Sequence, residues 1–362
     1  MVSTPTDARK KVFDTIEQIE PVNAQWIDRA GQRLVKLTKP PDSLGQLEQV
    51  ATRLCAIQAT LKPVSMKRRI IVCAADHGVT VEGVSAYPQS VTAQMVTNMA
   101  NGGAAINALA RVARAGVWVI DVGVSGSLGP IGGKAKFSSH RVREGTANMA
   151  EGPAMSENDM LAAVVVGIEH AQKAAADGVA LLGLGDMGIG NTTAASAITA
   201  VLTGLSPVHV TGCGTGIDQS ALTRKINAIE RALSINQPHR DRPFDILQTV
   251  GGLEIAALCG ACLGAAGQRL AILIDGLIST AAAMIAVAAC QHVKDYLFAS
   301  HLSPEPGHKV QLEWLGHRPL LDLGMRLGEG TGASLAMNII AAACAAFNEM
   351  ATFESAHVSN HL

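Results

Sequence analysis

Four short apolar runs constrain the fold of this 362-residue chain more than any other feature. They are Arg69–Asp76 (RIIVCAAD), Val117–Asp121 (VWVID), Val179–Asp186 (VALLGLGD) and Leu270–Asp275 (LAILID), and each closes on an aspartate. Each is too short for a typical helix and meets a glycine within a few residues. Uninterrupted apolar runs of this length suit strands buried on both faces, as in a parallel sheet. Segments 91–113 and 156–176 are long enough for helical crossovers, and Tyr296–Ser300 offers a further strand. This alternation predicts a doubly wound α/β fold. In such sheets ligands bind beyond the carboxyl ends of the strands, which puts Asp76, Asp121, Asp186 and Asp275 on the functional rim. The alternative for each is a cap on the helix or turn that follows.

Residues 8–58 read as helical, with breaks at Pro21 and at Lys39-Pro40-Pro41. Leu44, Leu47, Val50, Leu54 and Ile57 recur at helical spacing, with Asp42 or Ser43 as the cap. Residues 332–351 read as one long alanine-rich helix packed with the N-terminal helices. Two units are therefore expected: an α/β substrate-binding and catalytic domain over 42–330, and a small helical domain from 1–41 together with 331–362. With 48% hydrophobic and 16% charged residues, the chain can build a large core. A net charge of −1, with no block of Lys or Arg, argues against a nucleic acid partner. An anionic ligand would have to be held by a local cation and backbone N–H groups.

Residues 1–9 are polar and lack the apolar segment of a signal peptide. The longest apolar run, Ala281–Cys290, is too short to span a bilayer. Seven cysteines, an odd number, suggest reduced thiols and a cytoplasmic location. Cys259-Gly-Ala-Cys262 has metal or redox spacing, but it lies in a helix-like run with no second ligand pair, so buried thiols are expected. His301, Glu305 and His308 are close in sequence, yet Pro304 and Pro306 oppose a helix that would present them together. No metal and no cofactor is expected.

Three glycine clusters could carry chemistry. Gly183-Leu-Gly-Asp-Met-Gly-Ile-Gly-Asn-Thr-Thr193 follows a strand and precedes a helix, a setting that brings N–H groups to a phosphate. Asn191, Thr192 and Thr193 add side-chain hydrogen bonds. Gly183, Gly185 and Gly188 match the dinucleotide fingerprint, which raises the alternative of an NAD-dependent oxidoreductase. That fingerprint expects an acid about 20 residues on, and residues 201–210 (VLTGLSPVHV) contain none. The second cluster, Thr211–Asp218, holds Gly214 and is followed by Lys225, a reasonable phosphate cradle. In the third, Leu327-Gly-Glu-Gly-Thr-Gly332, Glu329 is either a carboxylate on a helix N-terminus or a general base in a cleft.

Taken in order, KPPDSLGQLE (39–48), ADHGV (75–79), YPQSVTAQMV (87–96), GDMGIGNTT (185–193), GGLEIAALCGACLGAA (251–266), ILIDG (272–276), SHLSPEPG (300–307) and MRLGEGTGASLAM (325–337) resemble one family. It is the nicotinate-nucleotide–dimethylbenzimidazole phosphoribosyltransferases of cobalamin nucleotide-loop assembly. The resemblance implies a Rossmann-like, mostly parallel sheet, a small helical domain from both chain ends, and a homodimer. It implies transfer of ribose phosphate from nicotinate mononucleotide to 5,6-dimethylbenzimidazole, giving α-ribazole 5′-phosphate and nicotinate. It assigns Glu329 as the base, and Gly188, Gly214, Lys225 and Ser303 to the phosphoribose, with Tyr87, Gln94 and Met95 along the benzimidazole. Asp186, the second candidate catalytic carboxylate, replaces the glutamate of the family pattern. Being one methylene shorter, it would need a water or a shifted loop to reach a ligand. A non-catalytic nucleotide sensor built on the same loops is a further alternative, and the aromatic base used is left open.

Overall fold

The computed structural model describes residues 5–214 and 216–359. Six strands form one sheet: β1 (Arg68–Ala75), β2 (Ala115–Gly123), β3 (Lys136–Ser139), β4 (Leu181–Met187), β5 (Ala271–Ile274) and β6 (Leu297–Ala299). Their order is β3-β2-β1-β4-β5-β6, and every pairing is parallel. This is the doubly wound arrangement, in which the order reverses between β1 and β4 and leaves a crevice at their carboxyl ends. The four apolar runs became β1, β2, β4 and β5, because a strand covered on both faces needs no polar alternation. Residues 296–300 supply β6. The edge strand β3 (KFSS) is half exposed and carries no apolar run, so nothing in its composition announced it.

Helices cover the sheet closely because glycines and alanines line the contacts. Helix Glu157–Ala176 crosses helix Leu253–Gly267 so tightly that a methyl at Gly167 would fall on the Ala257 carbonyl, and one at Gly260 on that of Val164. Cys259 and Cys262 are fully buried in this second helix, and burial pushes both thiols up. Among the described residues, no three His, Cys, Asp or Glu side chains cluster to hold a metal.

The chain ends meet at an antiparallel bridge between Leu37 and Thr352, where Thr38 N–H donates to Ala351 at 3.0 Å. Helix Pro5–Glu17 lies elsewhere, on helix Glu157–Ala176, with ion pairs Arg9–Glu157 and Lys11–Glu169. The expected cap at Asp42 or Ser43 is corrected. That helix begins at Gln46 after Gly45, and Asp42 adopts a left-handed φ of 58° in the preceding turn. Glu48 folds back instead, accepting the Leu44 N–H at 3.0 Å and pairing with buried Lys39 at 2.8 Å. Helix Thr331–Glu349, rather than 281–290, is the described helix long and apolar enough to cross a bilayer. More than half of it is buried against β1, β4, β5 and neighbouring helices, as a core helix would be.

Candidate active site

A cavity of about 670 Å³ opens beyond the carboxyl ends of β4 and β5, on the rim the sequence marked. The four rim aspartates divide in function. Asp76 accepts the Ser125 N–H at 2.8 Å, and Asp121 accepts the Val124 N–H at 2.9 Å and pairs with Arg141. Both hold loops and neither reaches the cavity wall. Asp186 does line the cavity, while Asp275 stands behind it.

The turn after β4 forms one wall. Gly183 and Gly185 belong to the strand itself and not to a phosphate loop. A methyl at Gly183 would press on Ile70, Ala333 and Met337, and one at Gly185 would land on the Glu329 carbonyl. Gly183 makes room for neighbouring side chains and Gly185 for a neighbouring backbone, which removes the dinucleotide reading. Gly188 does line the cavity, backed against the Ala75 carbonyl. Next to it, Ile189 N–H donates to the hydroxyl of buried Thr92 at 3.1 Å. Asn191 donates to Asp186 at 3.0 Å and lines the cavity with Thr192. Burial, reinforced by Asp275 and Glu254, pushes the Asp186 carboxyl well above the usual range, against the opposing Asn191 bond. The wall therefore disfavours the charged form of this carboxyl.

Glu329 projects from a turn of three successive left-handed residues: Gly328 at φ 85°, Glu329 at 62° and Gly330 at 84°. A non-glycine residue in this region costs free energy and persists only where its surroundings dictate it. Asp275 dictates it here. Its two oxygens accept the Gly330 N–H at 3.1 Å and the Ala333 N–H at 3.0 Å, which fastens the start of helix Thr331–Glu349 to the end of β5. The Glu329 carboxylate accepts the Ile106 N–H at 3.2 Å, in the first turn of helix Ala105–Val112. Burial raises its pKa, the Ile106 bond opposes this, and the charge of Asp275 adds to it. Its carboxylate thus sits at the N-terminus of helix Ala105–Val112 and in the cavity wall at once.

The opposite end is cationic. Lys225 is buried and donates to Thr192 Oγ1 at 2.8 Å and to the Gly212 carbonyl at 3.2 Å, directly behind the Thr192 and Gly214 wall. Burial pushes its pKa down to about 8, with Glu305 pulling it up. Gly214 N–H donates to Glu305 at 3.0 Å, and its carbonyl accepts from Arg326 at 2.8 Å. Ser303 lines the wall, and its N–H donates to His308 at 2.9 Å. His301, Glu305 and His308 do not converge: His301 faces Asp275 at 3.7 Å, Glu305 holds Gly214, and His308 meets Thr280 at 3.1 Å. Helix Val91–Ala100 supplies an apolar side through Val91 and Met95, one turn apart, with half-exposed Tyr87 at the mouth. Gln94 points to solvent and is outside the wall. Arg326, Val91 and Ile189 were not singled out by sequence; Arg326 was detectable only by standing three residues before Glu329.

Comparison with known proteins fits this geometry. A family model described as phosphoribosyltransferase matches residues 19–358. The chain is 49% identical over 346 residues to the nicotinate-nucleotide–dimethylbenzimidazole phosphoribosyltransferase of Geotalea uraniireducens (strain Rf4), covering 96% of this chain and 97% of that one. Two crystal structures from Thermus thermophilus superpose with TM-scores of 0.88 and 0.89, at 48% and 49% identity, each over 93% of this chain and 99% of the other. The first carries that same enzyme name and the second is titled CobT. Sheet order, cavity and full-length similarity agree, and the chain belongs to the nicotinate-nucleotide–dimethylbenzimidazole phosphoribosyltransferase family.

Proposed function

We propose that this protein transfers the ribose phosphate of nicotinate mononucleotide to 5,6-dimethylbenzimidazole, yielding α-ribazole 5′-phosphate and nicotinate, with Glu329 as general base. The observation that carries this reading is the Glu329 carboxylate, fixed in the cavity wall at the Ile106 N–H with its pKa raised by burial. In the nucleotide the pyridine nitrogen is already cationic, so it leaves as a neutral ring and needs no acid. As the benzimidazole nitrogen bonds to C1′, positive charge spreads over that ring and its N–H becomes acidic. A carboxylate against this N–H stabilises the charge and takes the proton, worth about 10²–10⁴-fold. Attack opposite the leaving group inverts the β-linkage to α.

The remaining roles follow from the wall. Val91, Met95 and Tyr87 suit a planar apolar base, and the outward side chain of Gln94 gives it at most a place at the rim. Lys225, Gly188, Thr192, Gly214 and Ser303 suit the sugar phosphate, with orientation as their contribution to rate. Asn191 orients Asp186, the second candidate catalytic carboxylate, in the cavity wall. In this reading the enzyme is a cytoplasmic homodimer with no membrane anchor. Its catalytic unit spans 42–330 and a helical unit is built from the chain ends, which the Leu37–Thr352 bridge supports. Five of seven cysteines are buried free thiols, in keeping with a reducing compartment.

The test is incubation with nicotinate mononucleotide and 5,6-dimethylbenzimidazole, followed by chromatography. Nicotinate and α-ribazole 5′-phosphate should appear in equal amounts. Tight nucleotide binding with no nicotinate release would favour the sensor.

A further inference from the structure

Thr92 is fully buried in helix Val91–Ala100, between the two cavity walls that carry different ligands in the reading above. Its helix presents Val91 and Met95 to the cavity, one residue before it and three after. Its hydroxyl accepts the Ile189 N–H at 3.1 Å, in the turn whose neighbours Gly188 and Asn191 form the nucleotide side. Asp76 is a close neighbour of this hydroxyl and accepts the Ser125 N–H at 2.8 Å. The hydroxyl oxygen accepts the Ile189 N–H, and this bond ties the turn to the helix. The turn cannot retreat to another partner. Gly188 is already pressed on the Ala75 carbonyl, and Gly190, at φ 97°, is packed on Thr80 and His77.

We infer that Thr92 is a positioning residue that fixes the nucleotide turn to the base-binding helix, so that each substrate finds its wall set by the other. It touches neither substrate. The inference rests on the phosphoribosyltransferase reading only for the identity of the two ligands. The join itself, from Ile189 to Thr92, stands apart from it.

Thr92→Val keeps the shape and removes the acceptor of the Ile189 N–H, whereas Thr92→Ser keeps it. Amide hydrogen exchange of the peptide over 187–191 should quicken in Thr92→Val and remain as in the natural protein in Thr92→Ser. In the nicotinate-release assay, Thr92→Val should raise KM for both nucleotide and benzimidazole by about tenfold, with kcat changed less, and Thr92→Ser should restore both constants. A role confined to folding would lower the amount of active enzyme and leave both KM values unmoved. Unchanged exchange at 187–191 in a folded Thr92→Val, or KM altered for one substrate alone, overturns the inference. A natural protein that releases no nicotinate would sink the proposed reaction instead, and the exchange measurement would still decide the role of Thr92.

Discussion

The turn at Gly328–Gly330 and the segment Gly212–Gly214 both reach the cavity, and they are held in opposite ways. The first is buried and pinned by short bonds from its backbone to one carboxylate, Asp275. The second is held by the tips of long charged side chains: Lys225 on Gly212, and Glu305 and Arg326 on Gly214. A group that must meet one nitrogen at one angle needs the first kind of support, because small displacements of reacting groups are costly. A loop that receives a phosphate suits the second, since a ligand's charge can be exchanged for a side chain's. The same residue type, glycine, therefore serves rigidity on one side and exchangeability on the other.

The sharpest break in this contrast is Glu329→Gln. The amide still accepts the Ile106 N–H, so the turn stays, yet it takes up no proton. Steady-state kinetics should show kcat down by about 10²–10⁴-fold with nucleotide binding retained. Near-normal turnover would remove Glu329 from its role. On the exchangeable side, Lys225→Ala should raise KM for the nucleotide about 10–100-fold with a smaller change in kcat. A pH series sharpens this. With its pKa lowered to about 8, Lys225 loses its proton above that pH, so kcat/KM for the nucleotide should fall between pH 7 and 9 in the natural enzyme and stay flat in Lys225→Ala. The sign for stability is opposite. Between about 8 and the unfolded value of 10.5, the unfolded chain binds the extra proton, so the Lys225 contribution to folding improves as pH rises through that window. The smallest effect should come from Gly185→Ala, whose methyl would collide with the Glu329 carbonyl. Overpacking of this kind costs about 1–3 kcal/mol. Denaturant melts should show it, together with reduced kcat, because it displaces the base itself.

Much of the fold was legible because burial on both faces writes itself into composition: β1, β2, β4 and β5 are unbroken apolar runs. β3 was not, since an edge strand of KFSS is made by its pairing with β2. One helix start was blurred because a side chain inside the helix folded back to do the capping, as Glu48 does for Leu44. At the site, the rim aspartates were visible as a set, but their division was not. Which of them faces solvent, loop or ligand depends on partners such as Ser125, Arg141 and Ala333, far away in sequence. Glycine was the hardest letter to read. Gly183 and Gly185 look like ligand glycines until helix Thr331–Glu349 is seen to need the space.

That helix has a further consequence, which concerns time. Asp275 leaves the ribosome 55 residues before Gly330, its first partner in the turn. Strands β1 to β6 can all be made while position 329 is still unsynthesised, and domains generally fold from the N-terminal side as they emerge. Thr192, Gly214 and Ser303, at one end of the cavity, are therefore all made before Glu329 is. The cavity is complete only once the helix that follows Glu329 has packed on β1, β4 and β5.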